Sequence, residues 1–227
     1  MSQSISSNTS DGSVLGDVFG VVVDTQSYKN LAYLLLAFPL GLFYFVFLSV
    51  GLSLGIGLSV LFVGLFILFA TVSGLRVVAA FERTLANSLL DVDIASPDDV
   101  RPQGDGLVAT GKAYLRAPST WRGLGFVFLK FWVGILSFVL LVSSLGIAVE
   151  LILAPVSDVA IEVQIGDWQP ASSIETPVEQ AAGVLAGAAL ALVSLHILNA
   201  FARVNAQIAA ALLGADSPDG RGEQTRR

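Results

Sequence analysis

Few side chains in this sequence could carry chemistry. The chain has one histidine, His196, and no cysteine, which excludes disulfides and thiolate metal sites. With a single histidine and no cysteine, there is almost nothing from which to build a nucleophile–base pair for hydrolysis. We therefore expect no catalytic residue, no metal site and no cofactor, and we expect that the chain is not an enzyme.

His196 and Asn199 lie close together in an apolar run near the C-terminus. An ionisable residue inside a membrane span is a candidate functional residue. A lone histidine near a helix end is more often a neutral hydrogen-bonding group between helices, and we favour that packing role over proton or ligand sensing. We expect His196 to be buried among Leu195, Ile197 and Leu198, out of reach of a kinase.

Three further residues are candidate functional residues. Trp168 beside Asp167 could bind a ligand, but we favour an aromatic cap on the helix bundle at the membrane interface. Pro39 lies inside the first apolar run, where a proline kinks a helix and frees a backbone carbonyl. The acids near Asp167 show no regular oxygen-ligand spacing, so we favour a solvated acidic surface over a cation site.

Composition indicates an integral membrane protein. Of the 227 residues, 54% are hydrophobic and only 13% are charged, whereas soluble domains carry about 25% charged residues. The net charge of −6 disfavours a nucleic-acid partner. Excess acid, few lysines and the lack of cysteine are typical of a protein from a halophilic archaeon.

Four apolar runs are each long enough to cross a bilayer, which takes about 20 residues of helix. The first two runs adjoin, and we predict a tight turn between them at residues 51–57, where glycine and serine cluster. The predicted spans cover residues 31–50, 58–78, 131–153 and 181–201. The fold class is then an all-α membrane protein with four transmembrane helices.

Span two is predicted to continue beyond the membrane as an amphipathic helix. Its apolar face carries four residues spaced by four: Val77, Phe81, Leu85 and Leu89. Glu82 and Arg83 lie off that face. In the rest of the central loop, residues 79–122, we predict a coil at 91–106 and a short helix at 109–115.

The second long loop, residues 154–178, has a period-two pattern. Apolar residues alternate with others over residues 159–165, which predicts a strand. Gly166-Asp167 can turn the chain, and residues 172–176 can supply a short returning strand. We therefore predict a small β-hairpin in this loop.

Two segments lie at the ends of the chain. Residues 1–26 are predicted as a cytoplasmic segment with an interfacial helix over residues 14–23, an apolar stretch too short to span. Residues 215–227 are polar and are predicted as a disordered cytoplasmic tail.

The basic residues predict the orientation. With four spans, all twelve lysines and arginines fall on one side, which the positive-inside rule places in the cytoplasm. We therefore expect a multi-pass protein of the cell membrane with both termini cytoplasmic and the β-hairpin loop extracellular. The expected interface anchors are Lys29, Arg76, Arg83, Arg122, Lys130 and Arg203. Among them, Lys130 should snorkel to the headgroups, and the arginines at the helix exits should anchor on anionic lipid.

The chain looks like two hairpins in the same orientation. Gly41 matches Gly134 at an offset of 93 positions, with aromatic matches around it. The second helices match at an offset of 120, as Phe81 does with Phe201. These matches predict a duplicated hairpin with an extracellular insertion in the second copy. Chance similarity between apolar helices is the alternative.

A longer motif runs over residues 28–41, YKNLAYLLLAFPLG, and weaker motifs return at Thr120-Trp121-Arg122, at Leu129-Lys130-Phe131 and at His196 with Asn199. In these residues the chain resembles the membrane sensor domain at the N-terminus of many prokaryotic histidine kinases and of stand-alone relatives. The resemblance covers about residues 27–214, which we take as one four-helix sensor domain. That family often repeats Phe-Pro-Leu-Gly in its third helix. Here residues 131–134 read FWVG, so we expect no kink in span three.

The resemblance implies a sensor or signal-coupling role in the membrane, within a two-component system, and supplies no ligand. No ATP-binding glycine-rich box follows His196, so we expect no kinase module in this chain. A small transporter or channel subunit and a structural membrane scaffold are the alternatives. The expected partners are the lipid bilayer and a cytoplasmic signalling protein or kinase, with a homodimer left open.

Overall fold

The computed structural model describes residues 20–100, 106–156, 163–165, 168–171 and 176–215. Its helices are α1 (Thr25–Gly57), α2 (Val63–Leu89), α3 (Leu107–Arg116), α4 (Pro118–Leu153) and α5 (Pro177–Leu213), and its strands are β1 (Val163–Ile165) and β2 (Trp168–Ala171). By length and composition α1, α2, α4 and α5 can each span a membrane, with a mean hydropathy of at least 2.0 in the most apolar window. The chain is therefore a multi-pass, helical membrane protein.

The predicted spans overlap one long helix each, but the helices are longer than the spans. Hydrogen bonds link the beginning of α1 to the end of α2, and the beginning of α4 to α2 and to the end of α5. We call this end of the bundle, where α1 and α4 begin and α2 and α5 end, the basic end. The short helix predicted at residues 109–115 corresponds to α3.

The turn between α1 and α2 lies later than predicted. Residues 51–57 stay helical, and the chain turns over residues 58–62, through a 3-10 turn (Ser59–Leu61) and Phe62 at φ 57°. Two of the three glycines in the predicted turn serve helix packing instead: an added Cβ would meet Thr71 at Gly51, and at Gly55 it would lie 2.6 Å from the Leu68 side chain. The prediction was wrong because glycine in a membrane helix more often allows close approach than it ends the helix.

A pair of glycines lets α1 and α4 cross at very short range. A Cβ on Gly41 would lie 2.8 Å from the Lys130 carbonyl oxygen, and a Cβ on Gly134 would lie 2.5 Å from the Ala37 carbonyl oxygen. Gly134 is 93 positions beyond Gly41, and Lys130 is 93 positions beyond Ala37. The two contacts are therefore equivalent: a shift of 93 positions converts one into the other.

Two stacked phenylalanine pairs obey the same relation. The ring centroids of Phe38 and Phe138 are 4.8 Å apart, and those of Phe45 and Phe131 are 4.3 Å apart. A shift of 93 positions exchanges one pair with the other. Reciprocal contacts at one offset are what a two-fold relation between α1 and α4 requires, so these contacts favour a true repeat over chance similarity.

The second helices of the two hairpins match at an offset of 123 rather than 120. At 123 the buried residues coincide: Gly64 with Gly187, Thr71 with Ser194, Leu75 with Leu198, Ala79 with Ala202, Glu82 with Asn205, and Ala86 with Ala209. A close contact agrees, since Gly64 approaches the Gly55 carbonyl oxygen as Gly187 approaches that of Ala148. The offset of 120 rested on residues off the buried face, such as Phe81 and Arg203.

The extension of α2 packs through a different face than its spacing predicted. Val77 is 69% exposed and Phe81 49% exposed, whereas Glu82 is fully buried. In a membrane bundle the lipid-facing surface is as apolar as the packed one, and polar side chains turn toward the interior. The apolar spacing therefore marked a face that is exposed at Val77 and Phe81 and partly buried at Leu85 and Leu89.

The strands β1 and β2 pair antiparallel, with Val163 opposite Ala171 and Ile165 opposite Trp168. They are only three and four residues long, and β2 comes before the predicted returning strand, of which residues 172–175 lie outside the described residues. An extracellular β-hairpin as a folded unit stays a prediction.

Other predicted segments are described only in part. Residues 20–23 at the end of the predicted interfacial helix are helical, while residues 1–19 lie outside the described residues. In the predicted coil, residues 91–100 are neither helix nor strand, and residues 101–105 lie outside the description, as does the tail from residue 216.

We expect Gly134→Ala to destabilise the bundle, because its methyl group would meet the α1 backbone, and overpacking costs about 1–3 kcal/mol. The matched control is Gly146→Ala on the same helix, where an added Cβ would meet nothing within 4 Å. That control should be neutral or slightly stabilising, since alanine favours helix. Thermal unfolding in detergent, followed by circular dichroism, measures both. Equal unfolding midpoints for the two variants would contradict the crossing.

Candidate functional site

Three helices bring a tyrosine, a glutamate and a lysine together inside the bundle. Tyr33 comes from α1, Glu82 from α2 and Lys130 from α4, and their exposed fractions are 1%, 0% and 3%. Each lies on the buried face of its helix, beside the crossing of α1 and α4. We call these three residues the buried triad.

Lys130 is the centre of the triad. Its Nζ donates to Glu82 Oε2 at 3.0 Å and to the Tyr33 hydroxyl oxygen at 2.8 Å. The Tyr33 hydroxyl donates in turn to Glu82 Oε2 at 3.5 Å. The ammonium group also lies 4.0 Å from the centroid of the Tyr33 ring, which adds a cation–π contact. The lysine is thus paired, hydrogen-bonded and enclosed.

Glu82 is satisfied on one side only. Its Oε1 atom is buried and makes no hydrogen bond of good geometry among the described residues. The Tyr44 hydroxyl, which also lacks one, lies close enough to the Glu82 carboxylate to interact with it. A buried carboxylate oxygen without a well-aligned donor costs free energy, which offsets part of what the ion pair contributes. The triad is therefore a finely balanced contact between the two hairpins, since Tyr33 and Glu82 belong to the first and Lys130 to the second.

The triad occurs in only one half of the repeat. At the equivalent position of the other half Tyr33 is replaced by Phe126, Glu82 by Asn205 and Lys130 by Ala37. Phe126 and Ala37 are buried, and the Asn205 amide donates to the Phe201 carbonyl oxygen of its own helix at 2.9 Å. The same packing is thus achieved there without charge, so the fold does not require the charged pair.

Asn199 belongs to a second polar network, at the basic end. Its Oδ1 accepts from Asn30 Nδ2 at 2.9 Å, and its Nδ2 donates to Ser27 Oγ at 2.8 Å. Gln26 Nε2 donates to Asn30 Oδ1 at 2.9 Å and to the Leu89 carbonyl oxygen at 2.7 Å. This network ties the beginning of α1 to the ends of α2 and α5, a packing role of the kind favoured for this segment.

His196 does not lie where it was predicted. It is on the exposed face of α5, whereas Leu198 two residues on is buried. The prediction of burial was wrong because the apolar neighbour Ile197 also faces outward, toward lipid. His196 and Asn199 are therefore not parts of one buried site.

The remaining candidates do not converge on the triad in the described part of the chain. Pro39 is exposed on the outer side of α1, and the helix continues through it. Trp168 is the first residue of β2, and Asp167 lies outside the described residues. Among the described residues, no three His, Asp or Glu side chains form a group that could hold a metal ion.

Several predicted interface anchors serve the bundle instead. Lys130 does not snorkel but turns into the triad. Arg122 Nη2 donates to the carbonyl oxygens of Ala211 and Gly214, at 3.1 and 2.7 Å, and so satisfies the C-terminus of α5. Of the others, Lys29 and Arg203 are exposed, and Arg76 and Arg83 are half-buried.

Asp99 holds the loop before α3 against the beginning of α4. It accepts hydrogen bonds at 2.7 Å from both the backbone N–H and the hydroxyl of Ser119. Burial raises the pKa of Asp99, but these hydrogen bonds and the nearby Arg76 charge outweigh it, so the pKa lies below its ordinary value.

We expect Lys130→Met to destabilise the bundle by about 3–5 kcal/mol, because it leaves the Glu82 carboxylate buried without its cationic partner. The double variant Lys130→Met/Glu82→Leu should recover most of that loss, and Lys29→Met at an exposed position should lose nothing. Chemical unfolding in detergent measures all three. A single variant as stable as the Lys29→Met control would show that the pair is not closed.

The packing of residues 91–100 against α4 should weaken at acid pH. The pKa of Asp99 is lower in the folded protein than in the unfolded chain. Ionised Asp99 therefore stabilises the fold, and this contribution is complete above about pH 4, the ordinary pKa of a free aspartate. That effect is lost as the pH falls through the lower folded value. Limited proteolysis of this loop between pH 7 and pH 3 should show late release in the wild type, and early, pH-independent release in Asp99→Ala. A pH-independent wild type would contradict this docking.

A protein-family model described as "Putative sensor" matches residues 9–213, most of the chain and both hairpins. In the same comparisons no curated protein and no solved structure matched the chain.

Proposed function

Because the chain belongs to the sensor family that this model describes, we propose that it is a membrane signal-coupling protein whose two hairpins change their packing in response to a stimulus. The observation that carries the proposal is the buried triad. It places a charged pair between the hairpins, at one of two equivalent positions, where the other position shows that packing alone needs no charge.

The triad has the properties of a two-state element. When the hairpins are closed, Lys130 and Glu82 pair at 3.0 Å in a site without water access. When they move apart, both ions need water or new partners, so intermediate positions are disfavoured. A stimulus that favours the open packing then shifts the population from the closed to the open state, rather than deforming a single state gradually.

The proposed output lies at the basic end. The positive-inside rule places this end in the cytoplasm and the loop between α4 and α5 outside the cell. Helices α2 and α5 extend past the predicted spans to Leu89 and Leu213 at this end. They are the elements that we propose contact a separate cytoplasmic histidine kinase of a two-component system, with the chain itself carrying no catalysis.

The experiment that tests the proposal makes the two halves alike. The triple variant Tyr33→Phe, Glu82→Asn and Lys130→Ala copies Phe126, Asn205 and Ala37 from the other half. Since that set already packs at the equivalent position, we expect the variant to fold and to reach the membrane. In the source organism, a deletion strain is exposed to osmotic, acid and heat stress, and transcription is compared after complementation with wild type, the triple variant or Lys29→Met.

We expect the deletion to abolish at least one stress response, which wild type and the exposed control Lys29→Met restore and the triple variant does not, at equal protein level. If every response survives deletion, the signalling role is wrong. If the triple variant restores the response, the role of the triad is wrong. The chain has no cysteine, so single engineered cysteines can report the change in packing directly.

A small transporter is the second candidate, because like-oriented repeats with a charged pair near their interface are found in that class. Pure protein in liposomes should then carry an ion or solute flux that Lys130→Met abolishes. If a panel of cations, anions and small solutes shows no flux, the transporter role is wrong and signalling is the remaining proposal.

A further inference from the structure

The two halves of the bundle also differ at the basic end. In one half Asn30 fills the space between α1 and α5, where it bonds to Asn199. The residue equivalent to Asn30 is Gly123, and the residue equivalent to Asn199 is Arg76. At Gly123 the space is not filled, and a small open cavity of about 20 Å³, room for about one water molecule, lies between α2 and α4.

The hydrogen bonds around this cavity repeat those of the filled half. Asn199 bonds to Ser27, and the equivalent Arg76 Nη1 donates to Thr120 Oγ1 at 3.2 Å and to Ser119 Oγ at 2.9 Å. The guanidinium also lies 5.1 Å from the centroid of the Tyr114 ring. Arg76 is thus held at the lining of the cavity by neutral groups.

A second arginine lines the same cavity. Arg83 lies two turns further along α2, is half-buried, and makes neither a hydrogen bond nor an ion pair within the described part of the chain. Among the described residues, the Asp99 carboxylate lies close enough to Arg76 to feel its charge, and it is occupied by two hydrogen bonds from Ser119. Two half-buried cations therefore share a cavity in which one acid, already engaged, balances them incompletely.

We propose that this cavity binds a phosphate group, either the headgroup of an anionic lipid or inorganic phosphate. Guanidinium groups match phosphate oxygens in pairs of parallel hydrogen bonds, and the Thr120 hydroxyl can donate a further one. Leu75 and Ala79 form an apolar wall beside the arginines. The basic end is the end at which anionic headgroups of the cytoplasmic leaflet concentrate.

Native mass spectrometry of the full-length protein in detergent tests the site, with phosphatidylglycerol and phosphatidylcholine as probes. The wild type should retain one phosphatidylglycerol about tenfold more tightly than phosphatidylcholine, the amount that one charge-assisted hydrogen bond provides. Arg83→Gln removes the unpaired cation, and Gly123→Asn fills the cavity with the side chain of the other half. Both should lose this preference, while Arg203→Gln, an exposed arginine outside the cavity, should keep it.

Thermal unfolding in phosphate and in chloride at equal ionic strength separates the two sources. A phosphate-specific rise in the midpoint that Arg83→Gln lacks supports recognition of the phosphate group itself. Selective lipid retention without that rise supports the lipid headgroup. If neither probe binds selectively, or if Arg203→Gln loses as much as Arg83→Gln, the site is overturned in favour of diffuse charge attraction.

Discussion

The close approach of α1 and α4 is the constraint on which the rest of the bundle depends. Lipid offers apolar side chains as good an environment as another helix does, so membrane helices associate through close packing and polar contacts. Gly41 and Gly134 remove the side chains that would keep the two backbones apart. The phenylalanine pairs on both sides of the crossing, and the triad beside it, lie at positions set by that contact.

The two-fold relation gives the bundle an internal reference for each half. Where both halves carry the same kind of residue, as Leu75 and Leu198 do, the residue serves packing. Where they differ in charge, packing alone does not account for the difference. Such differences occur at the buried triad and at the arginine-lined cavity, and both lie in contacts between the first hairpin and α4.

Hydropathy was enough to predict four spanning helices, and the repeat was visible at Gly41 and Gly134. The triad was not predicted, because Glu82 and Lys130 lie just outside the predicted spans, where a charged residue usually reaches water. Pairing them requires knowing which face of each helix is buried. The hydrophobic pattern does not reveal that face, because apolar residues such as Phe81 also lie on the exposed face. One signal was available: Ala37, the match of Lys130 at the offset of 93, shows that this position faces the partner helix rather than the headgroups.

The reciprocal contacts also have a consequence for the origin of the chain. Each hairpin carries both sides of the glycine crossing, so an ancestral single hairpin could have paired with its own copy through the same surface. In such a homodimer any acid and base would appear twice, on both sides of the symmetry axis. Fusion of the two genes is the smallest step that lets one side keep an uncharged interior while the other gains an ion pair. In this view the asymmetry is what the duplication made possible.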